Sequence, residues 1–116
     1  MNINNSSYDA DEIELAFEYF IETVRNLCDD YMDKNFPSLG KYDIRVSEGS
    51  VYWKIIKEDR SGHASVYGFV RKSDGAVFKA ASWSAPYTRG KSAIRGHVTD
   101  EWVGHFITPH GIIYAQ

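Results

Sequence analysis

The spacing of apolar residues predicts a long amphipathic helix over residues 9–34. Apolar side chains recur there at intervals of three and four positions, as they do on one face of an α-helix. They are Ile13, Phe17, Phe20, Val24, Leu27 or Cys28, and Tyr31, while Asp11, Glu14, Glu18, Glu22 and Arg25 take the other face. Asp9 and Glu12 have the capping-box spacing of a helix start, and Pro37 and Gly40 follow the expected end.

After Gly40 the apolar repeat shortens to every second residue, which predicts strands. The expected strands cover residues 42–46, 51–56, 65–70 and 76–80, and a fifth is expected at 111–115. Gly75 is expected to take the positive φ of a tight hairpin turn. The sequence therefore predicts an α+β fold in a single domain over 1–116: the N-terminal helix packs on an antiparallel meander sheet of four to five strands.

The second predicted strand carries large apolar side chains on both faces, because Tyr52 and Ile56 face opposite to Trp53 and Ile55. One helix covers only one face of such a sheet, so we expect a partner subunit over the other face and hence a homo-oligomer. Residues 82–110 form a long connection before the last strand, which indicates a functional loop or a short helix within it.

Composition narrows the class of protein. Hydrophobic residues make up 43% of the chain, which is typical of a folded domain, and no apolar run reaches the roughly 18 residues of a membrane span. The start, MNINNSSYDADE, lacks the basic and apolar regions of a signal peptide, and Cys28 has no second cysteine to pair with. We expect a cytoplasmic protein that does not contact a membrane.

Charge is distributed unevenly, although the net charge is only −3. Residues 1–40 hold nine acids and two bases, whereas residues 41–116 hold eleven bases and seven acids. Within residues 71–97 six bases accompany a single acid, Asp74. A basic loop near an acidic helix favours an anionic small molecule as the ligand. Nucleic acid is not expected as a partner.

The stretch from Ala85 to Ser92, APYTRGKS, fits a loose form of the phosphate-loop pattern. A phosphate loop lies between a parallel strand and a helix whose N-terminus faces the phosphates. Antiparallel strands are expected before this stretch, and Arg95-Gly96 would interrupt a following helix almost at once. We therefore interpret the stretch as something other than a nucleotide-hydrolysing loop.

The same region concentrates residue types that bind nucleotides. Aromatic faces stack on a base, arginine grips phosphate with two donors, and glycine lets the backbone approach a ligand closely. The candidate ligand-binding residues are Arg71, Lys79, Trp83, Tyr87, Thr88, Arg89, Lys91 and Arg95. The structural alternative is that Trp83 and Pro86 plug the end of the sheet while the charges are solvated.

Other chemistry has less support in the sequence. The four histidines, His63, His97, His105 and His110, have no short paired-ligand spacing, so no metal site is expected. No nucleophile lies in a recognisable elbow, although catalytic partners can converge in space from distant positions. We expect neither a cofactor nor an enzymatic activity.

The segment from Phe78 to Pro86, FKAASWSAP, is followed by Arg95-Gly96 and preceded by Ser65-Val66-Tyr67. This layout resembles small tailed-phage proteins of the first type of Thoeris anti-defence family, sponges that sequester a cyclic ADP-ribose isomer made by a bacterial immune system. The order of predicted elements is similar over residues 10–116, and the specific sequence segments that resemble the family lie within residues 65–96.

The resemblance implies a non-catalytic homo-oligomer in the host bacterial cell, with pockets between protomers in which an aromatic and an arginine sandwich adenine. Chemistry and proximity in sequence then make Trp83 or Tyr87 the platform. The cationic donors would be Arg71, Lys79, Arg89, Lys91 and Arg95.

Two functions therefore compete. The first is a sponge that binds a nucleotide-derived signal without changing it. The second is a phage inhibitor that binds a host defence protein or nuclease directly through the acidic helix, which carries Asp11, Glu14, Glu18 and Glu22 along one side. An enzyme acting on a nucleotide ranks third.

Overall fold

The fold is a single helix packed on an antiparallel sheet within residues 8–113, the part of the chain that the computed structural model describes. Helix α1 spans Ala10–Asn35. The sheet strands follow in chain order and are adjacent in that order: β1 Asp43–Glu48, β2 Tyr52–Glu58, β3 Ala64–Arg71, β4 Ala76–Phe78 and β5 Gly96–His97. A 3-10 helix, Val103–His105, precedes a separate strand pair, β6 Ile107–Thr108 and β7 Gly111–Ile112. The predicted α+β fold is confirmed.

Helix α1 begins and ends within one residue of the predicted bounds. The Asp9 carboxylate accepts a hydrogen bond from the Glu12 backbone N–H at 2.8 Å, and the Glu12 carboxylate accepts one from the Asp9 N–H at 2.9 Å. This reciprocal pair satisfies two backbone donors that the first helical turn leaves without intrahelical partners. The capping box predicted from the spacing of two acids is therefore present.

The fifth strand of the sheet is not the one that the sequence predicts. Gly96–His97 lies beside β4, with Val77 opposite Gly96, whereas Gly111–Ile112 pairs with β6 in the separate sheet. The expectation of a strand at 111–115 was wrong in its partner, and its last two residues lie outside the described part of the chain. A two-residue strand shows no alternation, so periodicity cannot detect β5.

One face of the sheet forms the main core with α1. The rings of Phe17 and Trp53 stack with centroids 4.2 Å apart, and Val24, Ile55 and Val70 are fully buried. Phe106, which follows the 3-10 helix, is also fully buried and joins this core. The long connection, for which the sequence indicated a functional loop or a short helix, thus contains a three-residue 3-10 helix that is followed by a buried aromatic residue.

The opposite face of the sheet carries a second buried cluster. Phe69 and Phe78 lie side by side on β3 and β4, and the Tyr52 ring meets them edge-on at 6.0 and 5.9 Å. Ala93, from the long connection, is buried in this cluster. The chain's own connection therefore supplies part of the cover that we expected from a partner subunit. No helix within residues 8–113 is long and apolar enough to cross a membrane.

Candidate functional site

Residues 79–92 form a closed loop between β4 and β5, which we call the basic loop. The Tyr87 backbone N–H donates to the Lys79 carbonyl at 2.7 Å, and Ala80 and Pro86 form an antiparallel bridge above this bond. Nearer the tip, the backbone N–H groups of Ala81 and Ser82 donate to the Ala85 carbonyl at 2.9 and 3.2 Å. Exposed side chains of residues 79–87 therefore project from a hydrogen-bonded hairpin, and those of residues 88–92 follow directly after it.

Trp83 lies at the tip of the basic loop and outside both buried clusters. Its side chain is 49% exposed. The Lys54 ammonium lies 4.4 Å from the indole centroid and donates to the Trp83 carbonyl at 2.9 Å. This cation–π contact holds the indole in place without burying it. Because the indole is half-exposed, Trp83 does not plug the end of the sheet, as the structural alternative supposed.

The cations of the basic loop carry uncompensated charge. Lys79, Arg89 and Lys91 are exposed, and none of them makes an ion pair with another residue in the range 8–113. Thr88 and Tyr87 are exposed beside them. An anion that reaches the basic loop thus meets positive charge that no described carboxylate neutralises.

Arg71 and Arg95 are placed differently from the other candidate residues. The Arg71 guanidinium grips the Asp74 carboxylate with two hydrogen bonds of 3.0 and 2.7 Å, which raises the pKa of Arg71 and lowers the pKa of Asp74. Arg95 is 3% exposed, and its backbone N–H donates to the Val77 carbonyl at 2.8 Å. Arg71 is therefore already paired with a carboxylate, and Arg95 lies inside the protein rather than on the surface of the loop.

Two cavities adjoin the basic loop. One, of about 350 Å³, lies between Ser84 at the loop tip and the β1–β2 turn, with Tyr52 and Lys54 in its wall. The other, of about 270 Å³, lies at the base of the loop beside Lys79, Thr108 and Ile112. The first combines an ammonium, hydroxyl groups and an aromatic ring next to Trp83.

Lys54 is the residue at this site that the sequence analysis missed. It alternates with Trp53 and Ile55 on β2, so the strand pattern alone places it on the face away from α1. The strand pattern does not show that the basic loop folds back over that face. This folding brings Trp83 to Lys54, although the two residues are 29 positions apart in the sequence.

The stretch APYTRGKS does not form a phosphate loop. The next regular element after Ser92 is β5, a strand antiparallel to β4, where a phosphate loop needs a helix. The interpretation reached from the sequence is therefore confirmed. Gly90 takes a φ of +81° in this stretch, which a turn uses and which favours glycine.

Buried titratable groups belong to the core rather than to the basic loop. Burial raises the pKa of the Cys28 thiol, whose Sγ lies 3.5 Å from the Pro109 carbonyl oxygen. Burial also raises the pKa of Tyr67, whose hydroxyl donates to the Thr108 carbonyl at 2.6 Å. Within residues 8–113 no group of three or more histidine, cysteine or acidic side chains is arranged to hold a metal.

The fold and the loop define a small α+β protein with an exposed loop that is both aromatic and basic. The chain belongs to the family of unknown function DUF7717, which matches residues 4–109. No curated protein and no solved structure gives a significant match to the chain.

Proposed function

We propose that the protein is a phage-encoded anti-defence sponge, which binds a nucleotide-derived immune signal and sequesters it without converting it. The observation that carries the proposal is the basic loop. Two exposed aromatic rings, Trp83 and Tyr87, stand on the hairpin of residues 79–87. Three exposed cations that make no ion pair within residues 8–113 lie at its base and just after it: Lys79, Arg89 and Lys91. The phage setting and the choice of a cyclic ADP-ribose isomer as the signal rest on the resemblance of the segment from Phe78 to Pro86.

The chemistry of such a signal matches the residues of the basic loop. A cyclic ADP-ribose isomer carries an adenine ring and a diphosphate. Lys79, Arg89 and Lys91 supply charge-assisted hydrogen bonds for the diphosphate, and an indole or phenol ring supplies a stacking surface for the base. Lys54, held against Trp83, adds a fourth cation next to the indole.

An open loop alone leaves much of a bound nucleotide in water, whereas small-molecule sites typically bury 70–90% of their ligand. A second protomer placed against the loop would supply the missing wall. The proposal therefore includes a homo-oligomer in which each ligand lies between two copies. Sequestration requires tight binding and slow release, and no cofactor takes part.

Recovery of intact ligand is the direct test. The full chain is titrated calorimetrically with cyclic ADP-ribose isomers, separated from free ligand, and then denatured, and the released compound is identified by mass. We expect saturable binding and release of the unchanged isomer. Release of a linear or cleaved product would identify an enzyme instead, and an absence of uptake for every isomer would refute the proposed ligand class.

A further inference from the structure

A second surface, which is acidic rather than basic, lies where α1 meets the segment 98–104. It is a groove of about 580 Å³, which we call the α1 groove. One wall is a single face of α1, formed by Glu12, Ala16, Tyr19, Thr23 and Leu27. Phe20 and Val98, both buried, lie at its floor, and Tyr8 and Trp102 stand at its edges.

The exposed aromatic side chains of the α1 groove are large, and one of them is held in place. Tyr19 and Trp102 are each 68% exposed. The Trp102 indole lies across Gly104, where an added Cβ would come within 2.7 Å of Nε1, and it is tilted against the His105 ring at 5.4 Å. An exposed but positioned aromatic loses little entropy on binding, and tryptophan and tyrosine dominate the energetics of protein interfaces.

The charge of the α1 groove has one sign. The described residues that line it include the carboxylates of Glu12, Asp100 and Glu101 and no lysine, arginine or histidine. Asp100 is held by the His97 backbone N–H at 3.0 Å, as Glu12 is held in the capping box. None of these three carboxylates forms an ion pair with any residue of the described chain.

We propose that the α1 groove docks a protein segment that presents an arginine or lysine next to an apolar side chain. The cation would lie over the Trp102 or Tyr19 ring and pair with Asp100 or Glu101, since aromatic faces and carboxylates both attract a cation. The apolar neighbour would cover Phe20 and Val98 at the floor. This docking surface differs from the acidic face of Asp11, Glu14, Glu18 and Glu22, none of which lines the α1 groove. It is also independent of the basic loop, because phosphate-bearing ligands are repelled by its carboxylates.

A synthetic peptide with the repeat Arg-Leu-Ala tests the proposed docking. Fluorescence anisotropy of the labelled peptide is followed as the full chain is added, and a peptide with citrulline in place of arginine serves as the neutral control of the same shape. We expect the arginine peptide to bind about tenfold or more tightly than the citrulline peptide. Equal binding of the two peptides would overturn the proposal.

Variants place the peptide on the α1 groove. Trp102→Ala and Glu101→Lys should each weaken the arginine peptide about tenfold, and Gly104→Ala should weaken it by displacing the indole without removing it. Trp83→Ala is the matched control, an exposed tryptophan on the basic loop, and should leave peptide affinity unchanged. Thermal melts verify that each variant is folded.

Two outcomes would refute the assignment. Peptide binding that is lost in Trp83→Ala and kept in Trp102→Ala would move the site to the basic loop. The second outcome is a dimer that dissociates when either Trp102→Ala or Arg89→Glu is introduced, and that the arginine peptide also converts to monomer. This result would show that the occupant of the α1 groove is the basic loop of a second copy. Failure of the peptide experiments leaves nucleotide recovery by the basic loop unaffected, so the two proposals fail separately.

Discussion

Trp83 and Trp102 are both exposed, yet each is held by a neighbour that the other lacks. Trp83 lies under the Lys54 ammonium, whereas Trp102 lies across the backbone of Gly104. A fixed indole offers a flat face to a ligand at a lower entropic cost than a free one. These two residues are therefore the most informative single positions for separating ligand binding from protein docking.

The first prediction concerns Trp83. If the indole stacks on a base, Trp83→Ala should weaken nucleotide binding by about 1–3 kcal/mol. Because the side chain is 49% exposed, the melting temperature should change little, whereas a core aromatic would cost about 3–5 kcal/mol of stability. Calorimetric titration and thermal melts measure the two quantities on the same preparation. Trp102→Ala is the control and should bind the nucleotide like the wild type; a large loss of stability with unchanged affinity would contradict the prediction.

The second prediction concerns the ion pair of Asp74 with Arg71. Asp74 also accepts the Ala76 backbone N–H at 3.0 Å, so it braces the β3–β4 turn. Its pKa lies below the ordinary 3.8, chiefly because of the Arg71 hydrogen bonds. The ionised carboxylate therefore stabilises the fold above that ordinary value, and the stabilisation is lost as the pH falls through the lowered pKa.

Asp74→Asn should accordingly reduce the free energy of unfolding at neutral pH by about 1–2 kcal/mol. The difference from the wild type should shrink towards zero in acid below the lowered pKa, where the wild-type carboxyl is also neutral. Denaturant unfolding at a series of pH values measures this. Asp33→Asn, which removes a more exposed ion pair with Lys41, is the control and should cost less stability than Asp74→Asn. A difference between wild type and Asp74→Asn that persists unchanged in acid would exclude the ion pair as its cause.

At the scale of elements, the basic loop is attached to the sheet at both ends and exposed to solvent between them. Backbone hydrogen bonds close it at Lys79 and Tyr87, and β5 and Ala93 tie its far end to the sheet. The cations between these two attachments lie in the solvent. An element built in this way keeps its shape when a surface side chain is removed, so affinity can be changed without changing the fold.

The third prediction follows from this construction. Arg89→Ala and Lys91→Ala should each cost about 1.5–3 kcal/mol of nucleotide affinity, as for the loss of a charge-assisted hydrogen bond. Ser92→Ala and removal of magnesium with EDTA should change nothing, since the loop does not work as a phosphate loop. Titrations of the four preparations provide the measurement, with Lys34→Ala, an exposed lysine of α1 outside the basic loop, as a charge control. Loss of binding with EDTA and with Ser92→Ala would refute this account of the loop.

Arg95→Ala is the contrasting variant of the same segment. Since Arg95 is 3% exposed, its removal should lower the free energy of unfolding by up to about 3 kcal/mol. Nucleotide affinity of the folded protein should fall less than in Arg89→Ala. Denaturant unfolding and titration of the two variants side by side distinguish a buried structural arginine from a surface ligand-binding one. A stable Arg95→Ala protein with strongly weakened binding would show instead that the ligand reaches Arg95.

At the scale of the whole molecule, surfaces of opposite charge occupy different places. The α1 groove carries three carboxylates, and the basic loop carries three uncompensated cations. The chain's own connection covers part of the sheet face away from α1, so the reason to expect an oligomer now lies in the open rim of the basic loop.

The fourth prediction is that the protein forms a dimer or a larger assembly at micromolar concentration. The proposed ligand should stabilise this assembly, because a ligand held between two protomers binds only the assembled state. Sedimentation velocity with and without the nucleotide measures this. Glu101→Lys serves as a control that alters the α1 groove and should leave the assembly intact. A monomer under both conditions would contradict the shared pocket.

The sequence alone determined the helix and the first four strands. Helix α1, with its capping box, was predicted within one residue of its observed bounds, because burial of one face imposes a period on every turn. Strands β1 to β4 were predicted within two residues of theirs from short apolar or alternating runs between turn residues, although every residue of β4 is buried. The residue types within 83–91 and their closeness in sequence also predicted an anion-binding loop, which stays a prediction. The structure shows that Trp83, Tyr87, Arg89 and Lys91 are exposed.

Tertiary structure alone decided which distant residues meet. It paired Gly96–His97 with β4, placed Lys54 against Trp83, buried Arg95 and joined α1 to residues 98–104 in a groove. Two-residue strands have no period, and the burial of one arginine but not of another depends on which surface folds over it. Contacts of this kind arise from packing between segments far apart in the chain, which no local pattern encodes.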